Sequence, residues 1–124
     1  MPGPLPMSTV RGRLAGRMLV LAVLPAEVYQ ADTVERLGHD LRGAIEAAPE
    51  AAGCIVDLSG VTFLSSAALG LVINLNAQMN GRGLKFALAG AAGEVAEVFK
   101  RSRLEKAITM FATVAEALGK LQCP

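Results

Sequence analysis

Two apolar spacings alternate along this chain, and together they predict its architecture. Residues 8–14, STVRGRL, alternate as a half-buried strand does, whereas Met18–Leu24 is an unbroken apolar run that fits a strand covered on both faces. The short link AGR between them predicts a hairpin, and Pro25 ends its second strand. Val34, Leu37, Leu41, Ala44, Ile45 and Ala48 then recur at helical spacing, with Asp32 or Thr33 as the cap and Pro49 as the stop. That stripe should face a sheet. His39 falls on the opposite side of the helix, where an exposed imidazole is expected.

Further on, CIVDL and LKFALAG are short apolar strands, with a helix from Ser66 to about Asn80 between them. A strand, a helix and a second buried strand within roughly 35 residues argue for a right-handed parallel crossover. Gly81 and Gly83 mark the stop before the second of those strands. A third helix is expected from Gly93 to about Arg101, with Val95, Val98 and Phe99 on one side. The stretch AITMF follows, then a last helix from Thr113 to about Leu121 that buries Val114, Leu118 and Leu121. The expected fold is α/β: a mixed sheet of four to five strands packed with four helices. Residues 8–121 should form the single domain, behind a loose proline-rich tail at 1–7.

Composition narrows the function. Apolar residues make up 52% of the chain and charged residues 19%, which is enough apolar surface for a packed core. A formal charge of +1, from 12 basic and 11 acidic side chains, gives no electrostatic reason to expect nucleic acid. Cys54 sits in an apolar strand and Cys123 beside the C-terminus, outside any metal-ligand or redox spacing, so a reduced, cytoplasmic protein is expected. The arginines before Met18–Leu24 give that segment the look of a signal peptide. The run is far too short to span a bilayer, however, and fits a buried strand, so no membrane insertion is expected.

The chemistry of catalysis is missing from the pattern. One histidine excludes paired-histidine metal motifs, and there is no Walker phosphate loop, no GxGxxG after a strand and no GxSxG elbow. A Ser/His/Asp triad would need His39, which the helical register turns away from the core. The expectation is a non-enzyme without cofactor or metal. Lys100, Arg101, Arg103 and Lys106 form a basic run accompanied by Glu97 and Glu105, which reads as a solvated helix end.

What stands out is residues 55–75, IVDLSGVTFLSSAALGLVINL. The strand carries Asp57 to its C-terminal edge, the chain turns near Gly60, and a helix opens at Ser65 or Ser66. At about 100° per residue, Ala68, Leu71, Val72, Leu75 and Met79 make a buried stripe, while Ser66, Gly70, Ile73 and Ala77 make a different face. A hydroxyl followed by one large apolar residue gives that face the character of a contact surface. A helix N-terminus favours an added anion by about 0.3–1 kcal/mol when exposed, so phosphate there would leave the helix intact. The same phosphate, carrying about −1.5 to −2 charges, would be costly to press into a partner.

VDLSGVTFLSSAALGLVI resembles the signature of STAS domains, the family that includes anti-sigma-factor antagonists and cytoplasmic domains of sulphate transporters. The resemblance runs from about residue 8 to residue 121. It takes in PAEVYQADTVERL, similar to the family's turn before the first helix, and VAEVFKRSRLEKAITMFATVAEAL, similar to its C-terminal helix, strand and helix. It implies an antagonist that binds an anti-sigma factor of the serine-kinase type while unphosphorylated, is released by serine phosphorylation, and is reset by a phosphatase. A monomer or weak dimer is expected.

In the S-S-A-G-L register of the family, Ser66 is the phosphoacceptor and Ser65 the reserve, with Ala68 in place of glycine. In the D-S-S-G-L-G register the aspartate falls on Ser65 and the acceptor on Ala67. The partner-binding set implied is Asp57, Ser59, Thr62, Ser65, Ser66, Leu69, Gly70 and Ile73. Two further departures are Tyr29, where the family carries an acidic residue, and Arg103, where many relatives have glycine. The alternative is a STAS scaffold that binds without phosphorylation, as a subunit of a sensory or membrane-transport complex.

Overall fold

Met18–Val23 (β2) lies inside a sheet, which accounts for its continuous apolar run. The computed structural model describes residues 9–122, so the expected tail at 1–7 and the thiol of Cys123 lie outside the described residues. Val10–Ala15 (β1) pairs antiparallel with β2 across a tight turn in which Gly16 takes φ +64°. Gly53–Asp57 (β4) then adds parallel to β2, Lys85–Ala89 (β6) parallel to β4, and Thr109–Phe111 (β7) parallel to β6. The strand order β1-β2-β4-β6-β7 makes a five-stranded mixed sheet.

The side chains of the inner strands divide by the period of two. Leu19, Leu21 and Val23 join Cys54, Val56, Phe86 and Leu88 in the main core, whereas Met18, Val20, Ile55 and Ala89 enter a smaller one. The main core receives the helices Ala31–Glu46 (α1), Ser66–Gly81 (α2) and Gly93–Arg101 (α3), through residues such as Leu37, Leu41, Leu75, Val95 and Phe99. The smaller core is closed by Val114–Gln122 (α4), where Ala117 is the buried residue and Val114, Leu118 and Leu121, expected to be buried, are only half-buried. Thr113 caps that helix, its hydroxyl accepting from Glu116 N at 3.0 Å, while the Glu116 carboxylate accepts from Ala112 N at 3.4 Å. Burial of Cys54 pushes its thiol up from 9.0 to about 12. It should therefore resist alkylation at neutral pH as long as the chain is folded, and quantitative labelling under native conditions would contradict this packing.

Other features also depart from the pattern-based expectation. Helix α1 starts one residue before Asp32: Gln30 is its extended N-cap, with φ −73° and ψ 143°, and gives no side-chain cap bond. The cause is a short strand that periodicity missed. Glu27–Val28 (β3) pairs in parallel with Phe63–Leu64 (β5), which fixes the chain's direction just before α1 begins. Asp40 is also buried, although it belongs to no apolar stripe. Its carboxylate accepts from Thr9 Oγ1 at 2.6 Å and Thr9 N at 3.2 Å, tying α1 to the start of β1, and Arg36 Nε lies 3.8 Å away. At Arg103 the chain takes φ +58°, the left-handed conformation that favours glycine.

Candidate functional site

Parallel strands β2, β4 and β6 all end on one edge of the sheet, and the loops that leave that edge lead into α1, α2 and α3. Asp57 is the last residue of β4. Its Oδ1 accepts from Ser59 N at 2.9 Å, a local turn bond that leaves Ser59 and Gly60 exposed. Leu58 and Val61 anchor this loop by burial, and Leu58 N donates to Ala89 O at 2.8 Å. Gly90, at φ +79°, lies against it: a Cβ there would come within 2.9 Å of Ser59 Cβ and 3.0 Å of Asp57 Oδ1. Gly90→Ala combines a strained φ with a clash, so a loss of roughly 1–3 kcal/mol is expected by chemical denaturation, with the loop at 58–62 displaced. An unchanged midpoint would contradict the close approach.

The small β3–β5 ribbon sets the start of α2. Thr62 N and Thr62 Oγ1 both donate to Ala26 O, at 2.7 and 3.1 Å, and Ser65 N donates to Val28 O at 2.9 Å. Ser65 is thereby held extended, at φ −79° and ψ 169°, and serves as the N-cap: its Oγ accepts from Ala68 N at 3.2 Å. Ser66, the first residue of the helix, is exposed, and its hydroxyl makes no hydrogen bond among the described residues. The two adjacent serines thus have different surroundings. Ser65 is half-buried and engaged in capping, while Ser66 presents a free hydroxyl at the helix tip.

The wheel for α2 holds residue by residue: Ala68, Leu71, Val72, Leu75 and Met79 are its buried positions. On the other face Ser66 and Ala77 are exposed, Gly70 is half-buried with nothing within 4 Å of an added Cβ, and Ile73 is 42% exposed, which is unusual for isoleucine. Beside the helix tip, Phe63, Leu64, Ser65, Ser66 and Leu69 border an open groove of about 300 Å³, closed on its far side by Val98, Arg101 and Ser102 of the α3 end. Phe63 on its border packs edge to face with Tyr29, ring centroids 6.0 Å apart, and the two remain 40% and 51% exposed.

Of the residues expected from sequence, Ser65, Ser66 and Leu69 meet in this groove, and Gly70 and Ile73 continue along the helix. Ser59 and Thr62 are exposed in the preceding loop, and Asp57 is half-buried and engaged within its own turn. Sequence reasoning did not bring Tyr29 to Phe63 or Arg101 to Ser66. The first depends on a two-residue strand pairing and the second on the crossover that lays α3 beside α2. No group of acidic, histidine or cysteine side chains suited to a metal occurs among the described residues, and no described helix is long and apolar enough to cross a membrane.

Residues 30–117 match the model of the STAS domain. The chain belongs to the STAS-domain family. Solved structures with this STAS fold include an anti-sigma factor antagonist from Mycobacterium paratuberculosis, at 18% identity, TM-score 0.79, and 93% and 94% coverage of the two chains. The phosphorylated form of the Bacillus cell-fate determinant SpoIIAA follows at 20% identity, TM-score 0.67, and 91% and 99% coverage. A sulfate transporter family protein from Wolinella succinogenes shares the fold at 13% identity, TM-score 0.69, and 87% coverage of each chain. No curated protein matches this STAS chain significantly in sequence.

Proposed function

We propose that this STAS domain is a cytoplasmic anti-sigma-factor antagonist of a partner-switching pathway. Unphosphorylated, it binds an anti-sigma kinase through the loop at 58–65 and the face of Ser66, Gly70 and Ile73, and the sequestered sigma factor goes free. Transfer of the γ-phosphate of ATP to Ser66 Oγ then breaks the contact, and a phosphatase restores it. ATP is the kinase's cofactor; the antagonist itself catalyses nothing. The observation that carries this reading is the division of labour between the serines: the cap bond occupies Ser65 and leaves the exposed Ser66 hydroxyl free for an incoming kinase.

The surroundings support docking. Ile73, Phe63 and Tyr29 offer exposed apolar area around the serine, and aromatic residues of this kind anchor interfaces. The α2 first turn carries no acidic residue, so nothing there repels an approaching ATP phosphate. The test is reconstitution with the anti-sigma kinase encoded nearest its gene: a stable complex on gel filtration, with release of bound sigma factor, is expected. Failure to form that complex or to free the sigma factor overturns the antagonist reading.

A second reading is a STAS scaffold that binds without phosphorylation in a sensory or transport assembly. The two alanines after Ser66 and the likeness to the transporter-family fold favour it. Under that reading the partner stays bound when ATP is added.

A further inference from the structure

We propose that Arg101 is the internal receptor of the phosphate on Ser66, so that the modified side chain folds into the groove between α2 and α3 and closes it. The inference rests on the phosphorylation reading above and adds what becomes of the phosphate. Ser66 and Arg101 come from different helices and border the same open groove of about 300 Å³. Arg101 is exposed and has no salt-bridge partner among the described residues; Arg36 with Asp40 makes the ion pair found there.

The electrostatics of the groove are one-sided. Its other bordering residues, Phe63, Leu64, Ser65, Leu69, Val98 and Ser102, are uncharged, so among the described residues Arg101 supplies the only formal charge on its walls. A guanidinium offers a planar fork of donors that matches two phosphate oxygens, and its long side chain can follow the phosphate as it turns inward. Ser102 adds a hydroxyl on the same wall. Phosphorylation would then act in two ways at once. It places charge where a partner must dock, and it fills the groove that the partner's side chain would enter.

The experiment needs no kinase, which separates this inference from the antagonist reading. Phosphoserine is incorporated genetically at position 66, in the otherwise native chain and in the Arg101→Gln variant. The second ionisation of the phosphate is followed by ³¹P NMR. Pairing stabilises the dianion, so its pKa should lie about half a unit to one unit lower in the native chain than in the variant. Thermal unfolding should show the same asymmetry, with Arg101→Gln lowering the midpoint of the phosphorylated chain and leaving that of the unmodified chain unchanged. Circular dichroism of the unmodified variant verifies its fold. Superimposable ³¹P titrations in the two backgrounds overturn the Arg101 assignment, whatever a kinase does to Ser66. Conversely, a lowered pKa alongside a partner indifferent to the phosphate leaves the pair standing and removes the switch.

Discussion

Leu71→Asp is expected to destabilise the chain severely, while Ile73→Asp, two residues further along the same helix, should fold as the native protein does. Leu71 is 8% exposed and faces α1, where its Cδ1 and Cδ2 methyls lie 3.0 and 3.6 Å from where a Cβ on Gly38 would stand. Arg42 Nη1 reaches within 3.1 Å of that same point, but its guanidinium belongs to an exposed residue, so a carboxylate drawn in by the leucine's place in the core must stay charged in largely apolar surroundings or take up a proton. Either course costs roughly 4 kcal/mol or more once the lost leucine packing is included. A domain of this size has about 5–15 kcal/mol in total, so at the low end of that range little margin is left. Ile73 is on the solvent side, and its replacement removes no core contact. Urea denaturation of both variants is the check: equal midpoints would show that the two faces of α2 are not as described.

The second large effect concerns binding. Ser66→Asp should fold normally and lose affinity for the anti-sigma partner by about tenfold to a hundredfold, equivalent to roughly 1.4–2.8 kcal/mol, whereas Ser66→Ala should retain it. A carboxylate at the first position of α2 suits the helix dipole, so the free protein is not penalised. In the complex the same charge has to shed water against the partner. Phosphate, with nearly twice the charge and three oxygens, should act more strongly than aspartate. Calorimetric titration separates the outcomes, and equal affinity in the two variants would remove electrostatic exclusion from the mechanism.

The pattern of the chain made the large elements legible because each has a single dominant contact. The unbroken run at Met18–Val23 is buried on both faces, and the stripe from Ala68 to Met79 contains the buried positions of α2 and no others. What stayed hidden was tertiary in origin. Two-residue strands such as Glu27–Val28 and Phe63–Leu64 have no period to detect, yet their pairing sets the cap of α2 and moved the start of α1 to Ala31. Asp40 lies outside the apolar stripe of α1 yet is buried, and is tolerated because Thr9, far away in the chain, supplies two donors. Arg101 looked like part of a solvated basic run. It is exposed, but it also stands across a groove from Ser66, a relation that only the packing of α3 creates.

The family fold was written in the VDLSGVTFLSSAALG stretch, and the difference between its two serines was not. Both hydroxyls are plausible caps by sequence, and the extended backbone of Ser65 decides which of them engages.

The most direct measurement is therefore the location of the phosphate. The protein, its Ser65→Ala variant and its Ser66→Ala variant would each be incubated with ATP and the anti-sigma kinase, and the peptide containing both serines would be sequenced by mass spectrometry. The account predicts one phosphate on Ser66 in the native chain and in Ser65→Ala, and none in Ser66→Ala. Phosphate on Ser65, or an unmodified peptide under conditions that label a control antagonist, would contradict it.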